Sequence, residues 1–220
     1  MNKKLRIKIC GITHLSNLDA CMGMGAHFCG FIFHPTSPRY ISPSRVAALS
    51  TAHLKRVGVF VNQQQSEILN IMNEAHLDFA QLHGNQSIQC AQAIGATRVI
   101  RVLWPQDYPS IKALHDDMLA YADSCAWFLL DAGAIGNGGT GKTLDWNELA
   151  TLNIPRPWFL AGGLSNHTIK DALNSCNPDG IDLNSGIEWA PGQKSPKDIL
   201  AAMHIIQRQT HAPLTPSLTV

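Results

Sequence analysis

The chain has 220 residues, 45% of them hydrophobic and 15% charged, with a formal net charge of +1. That balance excludes a disordered chain, and it offers no basic excess for nucleic acid or an anionic membrane surface. No stretch approaches the ~18 apolar residues of a spanning helix. The length suits one large α/β domain or two small ones, and a single domain of this size buries roughly 70% of the surface its unfolded chain exposes.

Cysteines at 10, 21, 29, 90, 125 and 176 form no C-x-x-C pair, and no apolar run follows Met1–Lys4. They are expected to be free thiols in a reducing cytoplasm. The ten histidines are scattered without an H-x-x-x-H or H-x-H cluster, so no metal is expected.

The first predicted strand is Arg6-Ile7-Lys8-Ile9-Cys10, stopping on Gly11. Strand side chains alternate, so Ile7 and Ile9 point one way while Arg6, Lys8 and Cys10 point the other. Thr13 is placed to cap a helix running to about Met24. A second strand is predicted over 28–33, followed by a proline-broken loop over 34–42 and a helix that Ser42 caps with Pro43 in its first turn. Strands over 56–61, 79–84, 98–103 and 127–131 alternate with helices over 65–75, 87–94 and 111–121. A glycine-rich loop then covers 132–143, with a short helix around 146–149. A strand over 158–163, a helix over 165–173, a strand over 180–183 and a last helix over 196–208 complete the pattern.

Eight short apolar strands alternating with helices are the tally of a (β/α)₈ barrel, a single-domain α/β fold. A doubly wound open sheet has the same local units. The barrel is favoured because no G-x-G-x-x-G follows the first strand and polar residues gather after many strand ends. The expected barrel spans 1–210, with 211–220 a loose tail carrying two prolines.

In such a barrel the active site lies at the C-terminal strand ends, and parity selects the residues that face it. Lys8 and Cys10 share a face; so do Gln81 and His83, and Asp182 and Asn184; Asp131 ends the sixth strand. A thiol and a carboxylate at strand ends can form a proton-transfer pair. Each has a plainer role open to it: Cys10 as a buried core thiol, Asp131 as a loop cap. Gly162-Gly163 after strand seven and Ser185-Gly186 after strand eight occupy the loops that seat phosphate in these barrels, although glycines also serve tight turns. Arg39, alone in its loop, is either a solvated cation or a fork for a carboxylate. Residues 136–143 fit G-x-x-x-x-G-K-[ST]. A nucleotide loop needs a strand delivering straight into it and a sound following helix, and both are lacking here. The same glycines suit a lid, with Gly138 and Gly139 over a substrate.

Lys8-Ile9-Cys10-Gly11-Ile12-Thr13 resembles the N-terminal motif of the phosphoribosylanthranilate isomerase family. The similarity continues through Gly30-Phe31-Ile32-Phe33, Ser37-Pro38-Arg39-Tyr40-Ile41-Ser42-Pro43, Val57-Gly58-Val59-Phe60-Val61-Asn62 and Gln81-Leu82-His83-Gly84. It extends to Leu129-Leu130-Asp131, Gly138 to Thr143, Ala161-Gly162-Gly163-Leu164 and Gly180 to Glu188, and so covers essentially residues 5–208. Asn184 stands where many members have serine.

The resemblance implies a cytoplasmic (β/α)₈ enzyme of tryptophan biosynthesis that performs an Amadori rearrangement of a phosphosugar-anthranilate without cofactor or metal, as monomer or homodimer. It implies Asp131 as general acid and Cys10 as general base. Arg39 would take the anthranilate carboxylate, and the loops at 162–163 and 185–186, with Gly138 and Gly139, the phosphate. Lys8, Gln81, His83 and Asp182 complete the expected substrate surface. A coupled thiol and carboxyl predict a bell-shaped pH dependence. The competing functions are a related sugar-phosphate barrel, either an epimerase or an indole-glycerol-phosphate synthase, and a non-catalytic phosphosugar-binding barrel.

Overall fold

The computed structural model describes residues 5–23, 25–131 and 146–211. The expected lid with Gly138 and Gly139, and the tail beyond His211, lie outside these residues. Eight parallel strands form a closed barrel in chain order. They are β1 (Arg6–Ile9), β2 (Phe28–Ile32), β3 (Lys55–Phe60), β4 (Phe79–Leu82), β5 (Val99–Leu103), β6 (Trp127–Leu130), β7 (Trp158–Leu160) and β8 (Gly180–Leu183). β8 pairs with β1 to close the ring, with Arg6 opposite Gly180 and Lys8 opposite Asp182. This is the expected barrel, not the open sheet.

The helices are α1 (Leu15–Gly23), α2 (Pro43–Ala47), α3 (Gln65–Glu74), α4 (Ile88–Ile94), α5 (Ile111–Tyr121), α6 (Trp146–Ala150), α7 (Ile169–Ser175) and α8 (Pro196–His211). Serine caps begin four of them: Ser42, Ser87, Ser110 and Ser195 accept from the N–H groups of Arg45, Cys90, Ala113 and Asp198. Two expectations fail locally. Thr13 does not cap α1, because its hydroxyl donates to the Gly192 carbonyl at 2.7 Å instead. α7 starts at Ile169, not Ser165, because Thr168 Oγ1 accepts from the Ser165 N–H and donates to the Gly163 carbonyl, both at 2.9 Å. Such side-chain turns compete with the helix for the same backbone groups.

Alternation divides the apolar side chains into two cores. Ile7, Ile9, Phe31, Phe60, Leu82 and Leu130 lie between strands and helices. Phe28, Val57, Val102, Leu129 and Phe159 fill the barrel interior. The N-terminal end of that interior is closed by aromatic rings. Phe28 meets Phe79, Trp127 and Phe159 edge-on at centroid distances of 5.8, 6.1 and 5.4 Å, and Trp127 stacks on Phe159 at 4.5 Å. Phe159 fits because β8 begins with Gly180: a Cβ there would lie 2.5 Å from its ring.

Gly180→Ala should therefore overpack the closed end and destabilise the fold by about 1–3 kcal/mol. The measure is a lower urea midpoint with unchanged slope. An unchanged midpoint would mean the ring shifts without cost.

Candidate active site

Above the aromatic layer the interior turns polar. β1 sends Lys8 into the barrel at 0% exposure, and its Nζ donates to Asp182 Oδ2 at 2.8 Å across the β1–β8 seam. Burial alone would strip the ammonium of its proton, but Asp182 and the neighbouring Cys10 hold Lys8 above its ordinary value. Cys10 follows on the same face at 4% exposure and lines a cavity of about 380 Å³ at the C-terminal end of the barrel. Gly30 of β2 leaves it room, since a Cβ there would sit 2.8 Å from the Cys10 sulfur. Burial pushes the Cys10 thiol up, and Lys8 opposes this without cancelling it. A neighbouring cation by itself favours the thiolate, but here burial outweighs it.

His83 and Asp131 approach each other from β4 and β6, with Nε2 to Oδ2 at 3.9 Å, beyond direct hydrogen-bond reach. Gln81 Nε2 lies 3.3 Å from His83 Nδ1. With the Gln81 amide in this orientation its nitrogen donates, Nδ1 accepts and the ring proton lies on Nε2, toward Asp131; the flipped amide would exchange these roles. Burial, reinforced by the Lys8 cation, lowers the His83 pKa to about 4, so the imidazole is neutral near pH 7. The ring stands edge-on to Trp104 at 5.3 Å. Among the described residues, Gln81 Oε1 and Asp182 Oδ1 are buried acceptors without a hydrogen-bond partner, and both residues line the cavity.

The opposite wall comes from loops. Gly162 and Gly163 have φ of +85° and +66°, backbone that residues with a Cβ rarely adopt. Gly186 packs so closely that a Cβ would lie 1.9 Å from the Leu164 carbonyl oxygen, which joins the two glycine loops into one platform. Ser185, Gly186, Gly162 and Gly163 all line the cavity, as does Arg39. Arg39 is placed by a parallel bridge that pairs its neighbour Tyr40 with Ile32 at the end of β2. It is not a lone solvated cation: Nε and Nη2 grip the Glu188 carboxylate at 3.0 and 2.6 Å.

The described residues of the expected site thus share one cavity, with Lys8 directly beneath it. Beyond them the structure adds a hairpin that the sequence reading missed, β9 (Glu188–Ala190) and β10 (Gln193–Lys194), after a short 3-10 turn at Ser185–Ile187. Its Lys194 is 2% exposed and bonds Glu188 Oε1 at 2.6 Å and Asn184 Oδ1 at 2.8 Å. Burial works against the Glu188 charge, yet Arg39 and Lys194 hold its carboxyl below the ordinary value. The Pro191-Gly192 pair between two short runs was the available turn signal.

The family model for N-(5′-phosphoribosyl)anthranilate (PRA) isomerase matches residues 7–204. An N-(5′-phosphoribosyl)anthranilate isomerase of Desulfovibrio desulfuricans is 51% identical over 203 residues, covering 92% of this chain and 96% of its own. The crystal structure of phosphoribosyl anthranilate isomerase from Thermotoga maritima superposes with a TM-score of 0.82 at 30% identity, covering 93% of this chain and 99% of that one. Another crystal structure of such an isomerase, in complex with reduced 1-(o-carboxyphenylamino)-1-deoxyribulose 5-phosphate, is similar at a TM-score of 0.77 and 29% identity, again over 93% and 99% of the two chains. With the family model spanning nearly the whole barrel and a relative at more than half identity, this chain belongs to the N-(5′-phosphoribosyl)anthranilate isomerase family.

Proposed function

We propose that the chain converts N-(5-phosphoribosyl)anthranilate to 1-(2-carboxyphenylamino)-1-deoxyribulose 5-phosphate by an Amadori rearrangement in tryptophan biosynthesis. The observation that carries this reading is the opening of Cys10 and Asp131, from opposite sides of the barrel, into one cavity above a buried cation. The pair shares one proton. When it sits on Asp131 and not on the Cys10 thiol, carboxyl and thiolate are present together, and in the first step that carboxyl gives the proton to the furanose ring oxygen. The anthranilate nitrogen lone pair then forms C1=N as the C1–O bond breaks. In the second step the Cys10 thiolate takes the proton from C2, and the electrons move to give an enolamine. Protonation at C1 and loss of the O2 proton yield the ketone, so atoms and charge balance without a cofactor.

The remaining groups are assigned by their free valences. Gln81 Oε1 and Asp182 Oδ1 are acceptors suited to sugar hydroxyls, and satisfying them on binding removes a desolvation cost. His83 stays a neutral donor beside Asp131. The platform of Gly162, Gly163, Ser185 and Gly186 offers backbone N–H groups to the phosphate. Asparagine at 184 is committed to Lys194, which leaves Ser185 and Gly186 for that task. Lys8 lowers the cost of the thiolate when Cys10 acts, though it does not make the thiolate the resting form. A non-catalytic phosphosugar barrel would have no use for this pairing of thiol and carboxyl.

Cys10→Ser and Asp131→Asn should each lower kcat by about 10²–10⁴, the usual range for a positioned acid or base. The loss of anthranilate fluorescence on addition of phosphoribosylanthranilate reads this directly. No turnover by the wild type overturns the function, and near-full rate in either variant overturns that residue's role.

The pH profile should be bell-shaped, with the alkaline limb lying above the ~8.5 of a free thiol because burial raises Cys10. An alkaline limb at or below that value would contradict a buried base. His83 gives a separate signature in stability. Its folded pKa of about 4 lies below the unfolded 6.5, so between these values the unfolded chain binds a proton that the native one does not. Stability therefore rises with pH across that window and is lost as the pH drops through it, by about 3 kcal/mol in all. Relative to wild type, His83→Gln should flatten urea midpoints between pH 7 and 4.5. Parallel curves would exclude the buried neutral imidazole.

A further inference from the structure

Arg39 spends one of its two forks inside the protein. The lateral edge, Nε with Nη2, closes on Glu188, whose side chain is 3% exposed. On the terminal edge Nη2 spends one N–H on Glu188, Nη1 makes no hydrogen bond among the described residues, and Arg39 lines the cavity. Glu188 is itself held from a second side by Lys194, whose side chain is 0% exposed. One carboxylate between two cations leaves the cluster with a net single positive charge beside the cavity.

The hairpin that presents Glu188 is pinned on two sides. Thr13 donates to the Gly192 carbonyl at 2.7 Å, and Gly192 lies so close to the Arg39 loop that a Cβ would meet the Pro38 carbonyl oxygen at 3.0 Å. Lys194 further ties β10 to the carbonyl and side-chain oxygens of Asn184 at 3.2 and 2.8 Å. A free arginine would have to surrender rotamer freedom on binding a ligand; this one has surrendered it in advance.

We infer that Glu188, braced by Lys194, is a positioning residue that fixes Arg39 so that its terminal fork receives the substrate carboxylate. This rests on the reading of Arg39 as the carboxylate group's partner. Glu188 touches no substrate atom in this arrangement. It sets the direction of the fork and leaves the excess cation unneutralised. The opposite role, a latch that competes with the substrate for Arg39, predicts the opposite sign.

The test compares two substrates made from ribose 5-phosphate, the phosphoribosyl adducts of anthranilate and of aniline, the second lacking only the carboxylate. Turnover of both is followed by chromatography for wild type and Glu188→Gln. Wild type should prefer the carboxylated substrate in kcat/KM, and the substitution should cut that preference by at least about tenfold, mainly through KM. The double variant Glu188→Gln/Lys194→Met, which leaves no unpaired buried ammonium, should lose the same preference and so separates positioning from misfolding. A preference that survives both substitutions overturns the role of Glu188. So does a loss shared equally by the two substrates, or a gain in kcat/KM for the carboxylated one. If wild type shows no preference, Arg39 itself is not the carboxylate's partner and the role of Glu188 falls with it.

Discussion

A fully buried ammonium facing a carboxylate across the closing seam organises this barrel. Lys8 of β1 and Asp182 of β8 are register partners, so alternation puts both side chains on the inner face, and they meet at 2.8 Å. Withdrawing two charges from water costs several kcal/mol per ion, and an apolar pair of equal volume can be as stable. The pair is therefore poorly explained by stability alone. It places a positive charge beneath Cys10, one layer above the aromatic plug and one layer below open cavity. Gly30 keeps the adjoining wall clear for both the lysine and the thiol.

That arrangement divides labour between rigid and adaptable parts. The proton-transfer groups proposed here, Cys10 and Asp131, stand at strand ends whose backbones are held by the ladder: their N–H groups donate to the Leu183 and Leu103 carbonyls. The groups proposed for the phosphate and the carboxylate come from loops, which tolerate variation without disturbing those strands. The loop groups gain rigidity from one another. The platform at 162–163 packs on 186, and Arg39 is clamped to a hairpin that is itself tied to Thr13 and Pro38. Charge is arranged at two depths, Lys8 with Asp182 on the floor and Arg39, Lys194 and Glu188 at the rim, with Asn184 linking the rim to the end of β8.

Much of this was legible in the chain. Alternation at Ile7-Lys8-Ile9-Cys10 predicted which side of β1 is apolar, and the structure separates those residues into the outer core and the interior. Ser42 before Pro43 predicted a cap, because capping is settled within a few residues. The failures share a cause. Thr13 has the chemistry of a cap, but a carbonyl 179 residues away claims its hydroxyl. Thr168 and Ser165 make a turn that delays α7, and the hairpin carrying Glu188 and Lys194 is too short for periodicity to reveal.

The sequence by itself determined the alternation of strands and helices, the faces on which the polar residues lie, and the family motifs that run from Lys8 to Glu188. Only the tertiary structure decided who meets whom and in what charge state. Lys8 and Asp182 are 174 residues apart, Arg39 and Glu188 149 apart, and nothing local links them. The solvent a group loses, and the charges within a few ångströms of it, set its protonation. So the thiol that looks activated beside a lysine is raised by burial, and the histidine that looks titratable near neutrality is held neutral, because closing the ring removes water from both.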